Sequence, residues 1–153
     1  MMKVFKPVKS KGETYVFKLD LEDYLKIKTS FWCCINGKKE SKYLKISDGL
    51  YHRVVTGAKI GEIVDHKNRN TFDNTKDNLR ICSVSENNRN TNRELKCINY
   101  NKINKNWRVR IISDKKIFEV GSFKNKNDAI IAYNSKVKEL HGEFAVLHKI
   151  GEL

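Results

Sequence analysis

The apolar and polar positions along this chain mark out short elements rather than long ones. TYVFKL at 14–19 reads as a strand, and LEDYL at 21–25 as a short helical turn. FWCCI at 31–35 is a second strand; Asn36-Gly37 promises a tight turn, and 43–46 the returning strand. Asp48-Gly49 then breaks the chain before LYHRVV at 50–55, a short apolar element that ends at Gly57. The apolar pair Ile63-Val64 stops abruptly at Asp65-His66 and gives way to a polar loop. That loop leads to Asp77-Asn78-Leu79-Arg80 and closes on ENNRN at 86–90.

From Asn87 to Lys96 the chain is polar and basic without apolar periodicity, which makes this segment the candidate linker. Beyond it, WRVRI at 107–111 alternates apolar and basic residues as a half-buried strand does, and IFEV at 117–120 is its partner. Asn125 or Asn127 can cap a helix in which Ala129, Ala132, Tyr133, Val137 and Leu140 share a face, with Gly142 as its stop. The expectation is a small antiparallel sheet packed on one helix. No internal repeat is evident.

Composition narrows the class. The chain has 153 residues, 39% of them hydrophobic and 10% aromatic, enough for one ordinary domain or two small ones with a core. No apolar run is long enough to cross a membrane, and MMKVFKP lacks the apolar stretch of a signal peptide, so a soluble, cytoplasmic, non-secreted protein is expected. With 31 Lys+Arg against 18 Asp+Glu, the net charge is +13. The excess is shared: residues 96–153 hold 12 basic and 6 acidic side chains, and residues 1–95 the other 19 and 12. Both halves therefore suit a polyanion, nucleic acid first; a merely solvated basic surface is the competing account. The basic residues are dispersed rather than set along one amphipathic helix, which disfavours an acidic membrane. Cys33, Cys34, Cys82 and Cys97 form no CxxC pair, so reduced thiols are a simpler expectation than structural zinc.

If Trp107, Val109 and Ile111 face the helix, Arg108 and Arg110 project from the other side of the sheet. Two such arginines suit phosphate and guanine in a major groove, or simply keep an exposed strand soluble. The run NYNKINKNWRVRIISDKKIFEVGSFKNKNDAIIAYNSKVKELHGEFAVLHK resembles the Apetala-two/ethylene-response-factor DNA-binding domain over nearly its whole length. The marks are Trp107, the Val-Gly-x-Phe of 120–123, the helix segment 129–133 and His-Gly-Glu-Phe-Ala at 141–145. The resemblance implies a three-stranded sheet in the major groove. It carries DNA contact to Tyr100 and Lys102 on the first strand, and to Arg108 and Arg110 on the second. Ile117 and Glu119 stand where plant members often place Arg and Trp, so the plant target sequence is not implied.

With DNA as the expected partner, Asp65-His66 becomes readable. Hydrolysis of a phosphodiester needs an activated water and relief of negative charge; a neutral imidazole can take the proton, and oxygen ligands suit a hard cation. VDHKNRNTFDNTKDNLRICSVSENNRN, with LYHRVVTG upstream, resembles the HNH nuclease motif of phage and intron homing endonucleases. The resemblance implies a ββα-metal fold with Asp65 as metal ligand, His66 as general base, Asn78 bracing the loop and orienting the histidine, and Asn87 as second ligand at the start of a helix. Arg80 and His52 follow as candidates for phosphate contact or loop support. Asparagine in place of the usual last histidine points to Mg²⁺ or Mn²⁺ over zinc. Taken singly, the same residues also suit a strand end, a turn and a helix cap.

The expectation from sequence is an α+β protein. Residues 1–95 form an HNH nuclease domain (motif core 62–90), and residues 96–153 an Apetala-two-like DNA-binding domain. It nicks double-stranded DNA with a divalent metal, as a monomer, with a dimer needed for a one-step double-strand break. A DNA-binding regulator derived from a decayed nuclease is the alternative; RNA binding fits the charge but not a sheet that lacks stacked aromatics.

Overall fold

The computed structural model describes residues 1–37, 41–90 and 97–151 of the chain. They form a mixed α and β protein of small antiparallel sheets and short helices, in two compact units, Met1–Ser83 and Val84–Leu153.

The first unit opens with a hairpin, β1 (Lys3–Ser10) and β2 (Glu13–Asp20). Lys11 and Gly12 between them both have positive φ, the geometry that a two-residue turn needs to match the strand twist. The first strand escaped the sequence reading. Its inward side chains include Lys6, and Pro7 interrupts it, so KVFKPVKS carries no clean apolar alternation. α1 (Leu21–Ile27) follows directly, then β3 (Trp32–Asn36), β4 (Lys42–Ile46) and the two-residue β5 (Gly49–Leu50), which form one sheet in that order. β3 and β4 are the expected pair, but Asn36 lies opposite Lys42, so the connection is the five residues 37–41 rather than a two-residue turn. Residues 38–40 of it lie outside the described residues. Gly37 is required there, because a Cβ would sit 2.2 Å from the Tyr43 ring.

LYHRVV becomes α2 (Tyr51–Thr56), stopped by Gly57 in the left-handed conformation (φ 66°). Last come β6 (Ile63–His66) and β7 (Leu79–Cys82), antiparallel, with a 3-10 turn at Lys76–Asn78 just before β7. The core of this unit is Val8, Phe17, Leu19, Cys34, Leu44, Ile46 and Tyr51.

One buried carboxylate pins the loop end to the hairpin. Asp20 is fully buried; it accepts from Lys3 Nζ at 2.5 Å and from the Lys76 backbone N–H at 2.7 Å. Burial alone would raise its pKa, but the hydrogen bonds from Lys3 and Lys76 outweigh it and hold the carboxyl below its ordinary value. A depressed folded-state pKa stabilises the fold above the unfolded value of 3.8, and that stability is lost as pH falls through the lower folded value. Asp20→Asn is therefore expected to flatten the acid limb of a melting-temperature profile below about pH 4; an unchanged limb would rule out this role.

The second unit begins with α3 (Val84–Arg89). Ser83 and Glu86 stand at capping-box spacing around its start. Within this unit Arg89 pairs with Asp114 at 2.6 Å, and Ser85 also reaches Asp114. Of the expected linker, residues 87–89 are helical and 91–96 lie outside the described residues. β8 (Ile98–Asn101), β9 (Asn106–Ser113) and β10 (Lys116–Phe123) form a three-stranded antiparallel sheet with β9 central, packed against α4 (Lys126–His141). Asn125 caps α4 by accepting from the Asn127 N–H, and Gly142 ends it. The buried face of α4 is Ala129, Ile130, Tyr133 and Val137, so Ile130 is buried where Ala132 was expected. Against it lie Ile98, Val109 and Ile111.

Candidate active site

The loop 67–78 between β6 and β7 is polar because its side chains replace backbone partners. Asn68 accepts from the Asn70 N–H and Asn70 from the Phe72 N–H, each two residues on, the Asx-turn pattern. Asn78 uses both ends of its amide: Oδ1 accepts from the Asn68 N–H at 2.9 Å, and Nδ2 donates to the Asp73 carbonyl at 2.6 Å. The loop is also stitched to β2. Lys18 N–H donates to the Phe72 carbonyl and Asn74 N–H to the Lys18 carbonyl, both at 2.8 Å, while Lys18 Nζ pairs with Asp73 at 3.2 Å.

This frame sets Asp65 and His66 at the end of β6, both buried. Alternation along the strand turns the two side chains to opposite faces. Asp65 lies opposite Arg80 on β7, and its Oδ2 accepts from Arg80 Nε at 2.9 Å and Nη2 at 2.8 Å. Both side chains are only 8% exposed, so the ion pair is buried and the guanidinium balances the carboxylate's charge.

His66 lies against Asn74, with Nε2 3.2 Å from Asn74 Oδ1. The His52 ring stands edge-on to it, centroids 5.4 Å apart, and Tyr43 packs near both, at 5.4 Å from His52 and 6.4 Å from His66. Burial lowers the pKa of His66; the Asn74 hydrogen bond and the Asp65 charge offset part of that. His52 is pushed down to about 4 by burial, with His66 and Arg53 adding to the effect. Both rings are neutral at pH 7, so His66 can accept a proton. His52 Nδ1 is buried without a hydrogen-bond partner among the described residues.

The first unit thus brings together Asp65, His66, Asn78, Arg80 and His52. Asn87 belongs to the second unit. It is half-buried and stands fourth along α3, not at its start, because the helix begins directly after Ser83. Asn74 was not singled out from the sequence, nor was the Arg80–Asp65 pairing. In a loop with four asparagines, no spacing distinguishes the one that folds under the histidine.

On the second unit, Arg108 and Arg110 share the sheet face away from α4, and both donate to Glu119 on β10, at 3.0 and 2.7 Å. Tyr100 and Lys102 are not with them. Tyr100 lies opposite Trp107, rings 5.1 Å apart, and so points to the helix side; Asn99 is the residue opposite Arg108. β8 ends at Asn101, whose side chain accepts from the N–H groups of Ile103 and Asn104, so Lys102 falls in a turn. The direct cross-strand partner shares a face, and the register pairs Arg108 with Asn99.

Carboxylate and amide oxygens suit a hard cation in kind, but the Asp65 carboxylate is already paired with the Arg80 guanidinium, which opposes a cation there. Among the described residues no three His, Cys, Asp or Glu side chains gather as a metal cluster. No described helix is long and apolar enough to cross a membrane.

Comparison with known proteins points to the same stretch. Residues 50–89 match a family model described as HNH endonuclease. An uncharacterized HNH endonuclease of Acanthamoeba polyphaga mimivirus is 28% identical over 103 residues, covering 66% of this chain and 55% of that protein. The chain thus spans just over half the length of this curated relative. No solved structure matches. The stretch from α2 through β6 and β7 to α3, which carries Asp65, His66, Asn78 and Asn87, is therefore where this chain is similar to HNH endonucleases.

Proposed function

We propose that the chain is a metal-dependent DNA endonuclease of the HNH homing type, nicking duplex DNA, with site choice aided by its C-terminal sheet. The observation that carries this is the neutral, buried His66 beside Asp65, at the end of a strand in the stretch matching HNH endonucleases. In this reading Asp65 is the charged metal ligand, and Asn87 is assigned as the second ligand by motif order alone. When bound, a divalent cation supplies positive charge to the scissile phosphate and the leaving oxygen. His66 takes a proton from water as the water oxygen bonds to phosphorus and the bond to the leaving sugar oxygen breaks. Asn78 keeps the loop in the shape that holds the base, and Arg80 fixes the Asp65 carboxylate. One such set per chain favours nicking.

Incubation of supercoiled plasmid with the protein plus Mg²⁺, Mn²⁺ or chelator tests the reading. Relaxed circles are expected with metal and none with chelator. DNA binding without cutting under every metal would instead support a regulator built on a decayed nuclease, the reading that the Arg80 guanidinium on Asp65 favours.

We further propose that residues 96–153 act as an Apetala-two-like reader of duplex DNA through the face that carries Arg108, Arg110 and Asn99. Support comes from the charge of this segment and from two guanidiniums, both held by Glu119, on an exposed face. Replacing either arginine by Ala is expected to cost about 1–3 kcal/mol of affinity where it reads a base, and to lower the salt slope by about one where it touches phosphate. A gel-shift salt titration of the metal-free full-length protein measures both. Unchanged binding in the double variant would remove this face from the interface.

A further inference from the structure

We infer that Asn74 is a positioning residue for His66: its side chain sets the imidazole tautomer so that Nδ1, not Nε2, is the proton-accepting atom. The sequence motif had assigned the orienting role to Asn78, but the amide of Asn78 is spent on the loop backbone, at Asn68 N–H and the Asp73 carbonyl. Asn74 is the amide that reaches the ring, and it is 1% exposed in an otherwise polar loop.

Hydrogen-bond chemistry settles which atom faces which. Asn74 Nδ2 lies 2.9 Å from the Thr71 carbonyl, which can only accept, so the amide nitrogen must stand there. The reversed amide would put two acceptors against each other. Oδ1 therefore faces His66 Nε2, and because Oδ1 also can only accept, Nε2 must carry the hydrogen. A neutral imidazole has one N–H, which leaves the lone pair at Nδ1.

The backbone holds this arrangement from outside the loop. Asn74 N–H donates to the Lys18 carbonyl on β2, and Lys18 N–H to the Phe72 carbonyl, so two residues flanking Asp73 are fixed to the hairpin. The Asp73 carboxylate adds Lys18 Nζ and the Thr75 hydroxyl. The rings of His52 and Tyr43 confine the imidazole laterally. Asn78 thus acts one step further out, by shaping the loop that carries Asn74.

The inference rests on the nuclease reading for its kinetics only; the tautomer is measured without DNA or metal. Long-range ¹H–¹⁵N NMR on the full-length metal-free protein at neutral pH, with His66→Ala identifying the signals, is expected to show His66 protonated at Nε2. An Nδ1–H tautomer in the wild-type protein would overturn the inference whether or not the protein cuts DNA. Asn74→Leu removes the acceptor: mixed tautomers are expected, with kcat for plasmid nicking lowered about a hundred-fold and KM little changed. Asn74→Asp restores an acceptor toward Nε2 and is expected to recover the Nε2–H tautomer and most of the lost rate. If Asn74→Leu melts near room temperature, the wild-type spectrum and Asn74→Asp still decide. An Asp variant with the wrong tautomer, or with the right one and no better rate than Leu, would reduce Asn74 to a structural role.

Discussion

His66→Ala is expected to lower DNA nicking by roughly a hundred- to ten-thousand-fold while leaving DNA affinity nearly unchanged. The imidazole is buried at the end of β6, so in the proposed reading its contribution is to accept a proton rather than to hold a DNA strand. Burial keeps it neutral at pH 7, the state in which it can act as a base. Truncation leaves a gap beside His52 and Tyr43, so melting is measured alongside nicking under metal and a gel shift without it. A variant that nicks at the wild-type rate would mean that another group activates water.

Asp65→Ala is expected to abolish metal-dependent nicking, with excess Mn²⁺ restoring little, because the charged oxygen donor is gone. It also removes the carboxylate with which Arg80 pairs. Arg80 is 8% exposed and donates to Asp65 through two nitrogens, and removing one partner of such a pair typically costs about 3–5 kcal/mol. Asp65→Asn separates the two effects, since it keeps an oxygen toward Arg80 but not the charge. It is expected to melt closer to the wild type and to nick almost as poorly as Asp65→Ala. Asn87→Ala should be milder and partly rescued by Mn²⁺, because water can replace a neutral amide oxygen. Equal and unrescued losses at Asp65 and Asn87 would show that Asn87 does more than ligate.

The elements that could be read from sequence are those whose signals are local. The apolar run of β2, the alternation of Trp107, Val109 and Ile111, the Asn125 cap and the Gly142 stop each depend on a few neighbouring residues. β1 was missed because its alternation is blurred by Lys6 and Pro7, and it exists as a strand only through its pairing with β2. The Asp65-His66 pair was legible too, since a carboxylate and an imidazole at an abrupt strand end form a pattern that neighbouring residues alone define.

The support of that pair was decided by the tertiary structure. Arg80 meets Asp65 because the register of β6 on β7 places them opposite, and a register shift of one residue would send the guanidinium to the other face. Tyr100 and Lys102 were assigned to the arginine face by counting along a strand whose end and register the sequence did not specify; pairing gives Asn99 that place. Asn74 is one of several asparagines in its loop, chemically equivalent to its neighbours until the backbone bonds between 72–74 and Lys18 turn it inward beneath His66. Composition and order determined which reactive groups this chain has, because those are properties of single residues. Which atom of His66 bears the hydrogen depends on a partner eight positions away, held by a strand more than fifty positions away, and only the folded chain brings the three together.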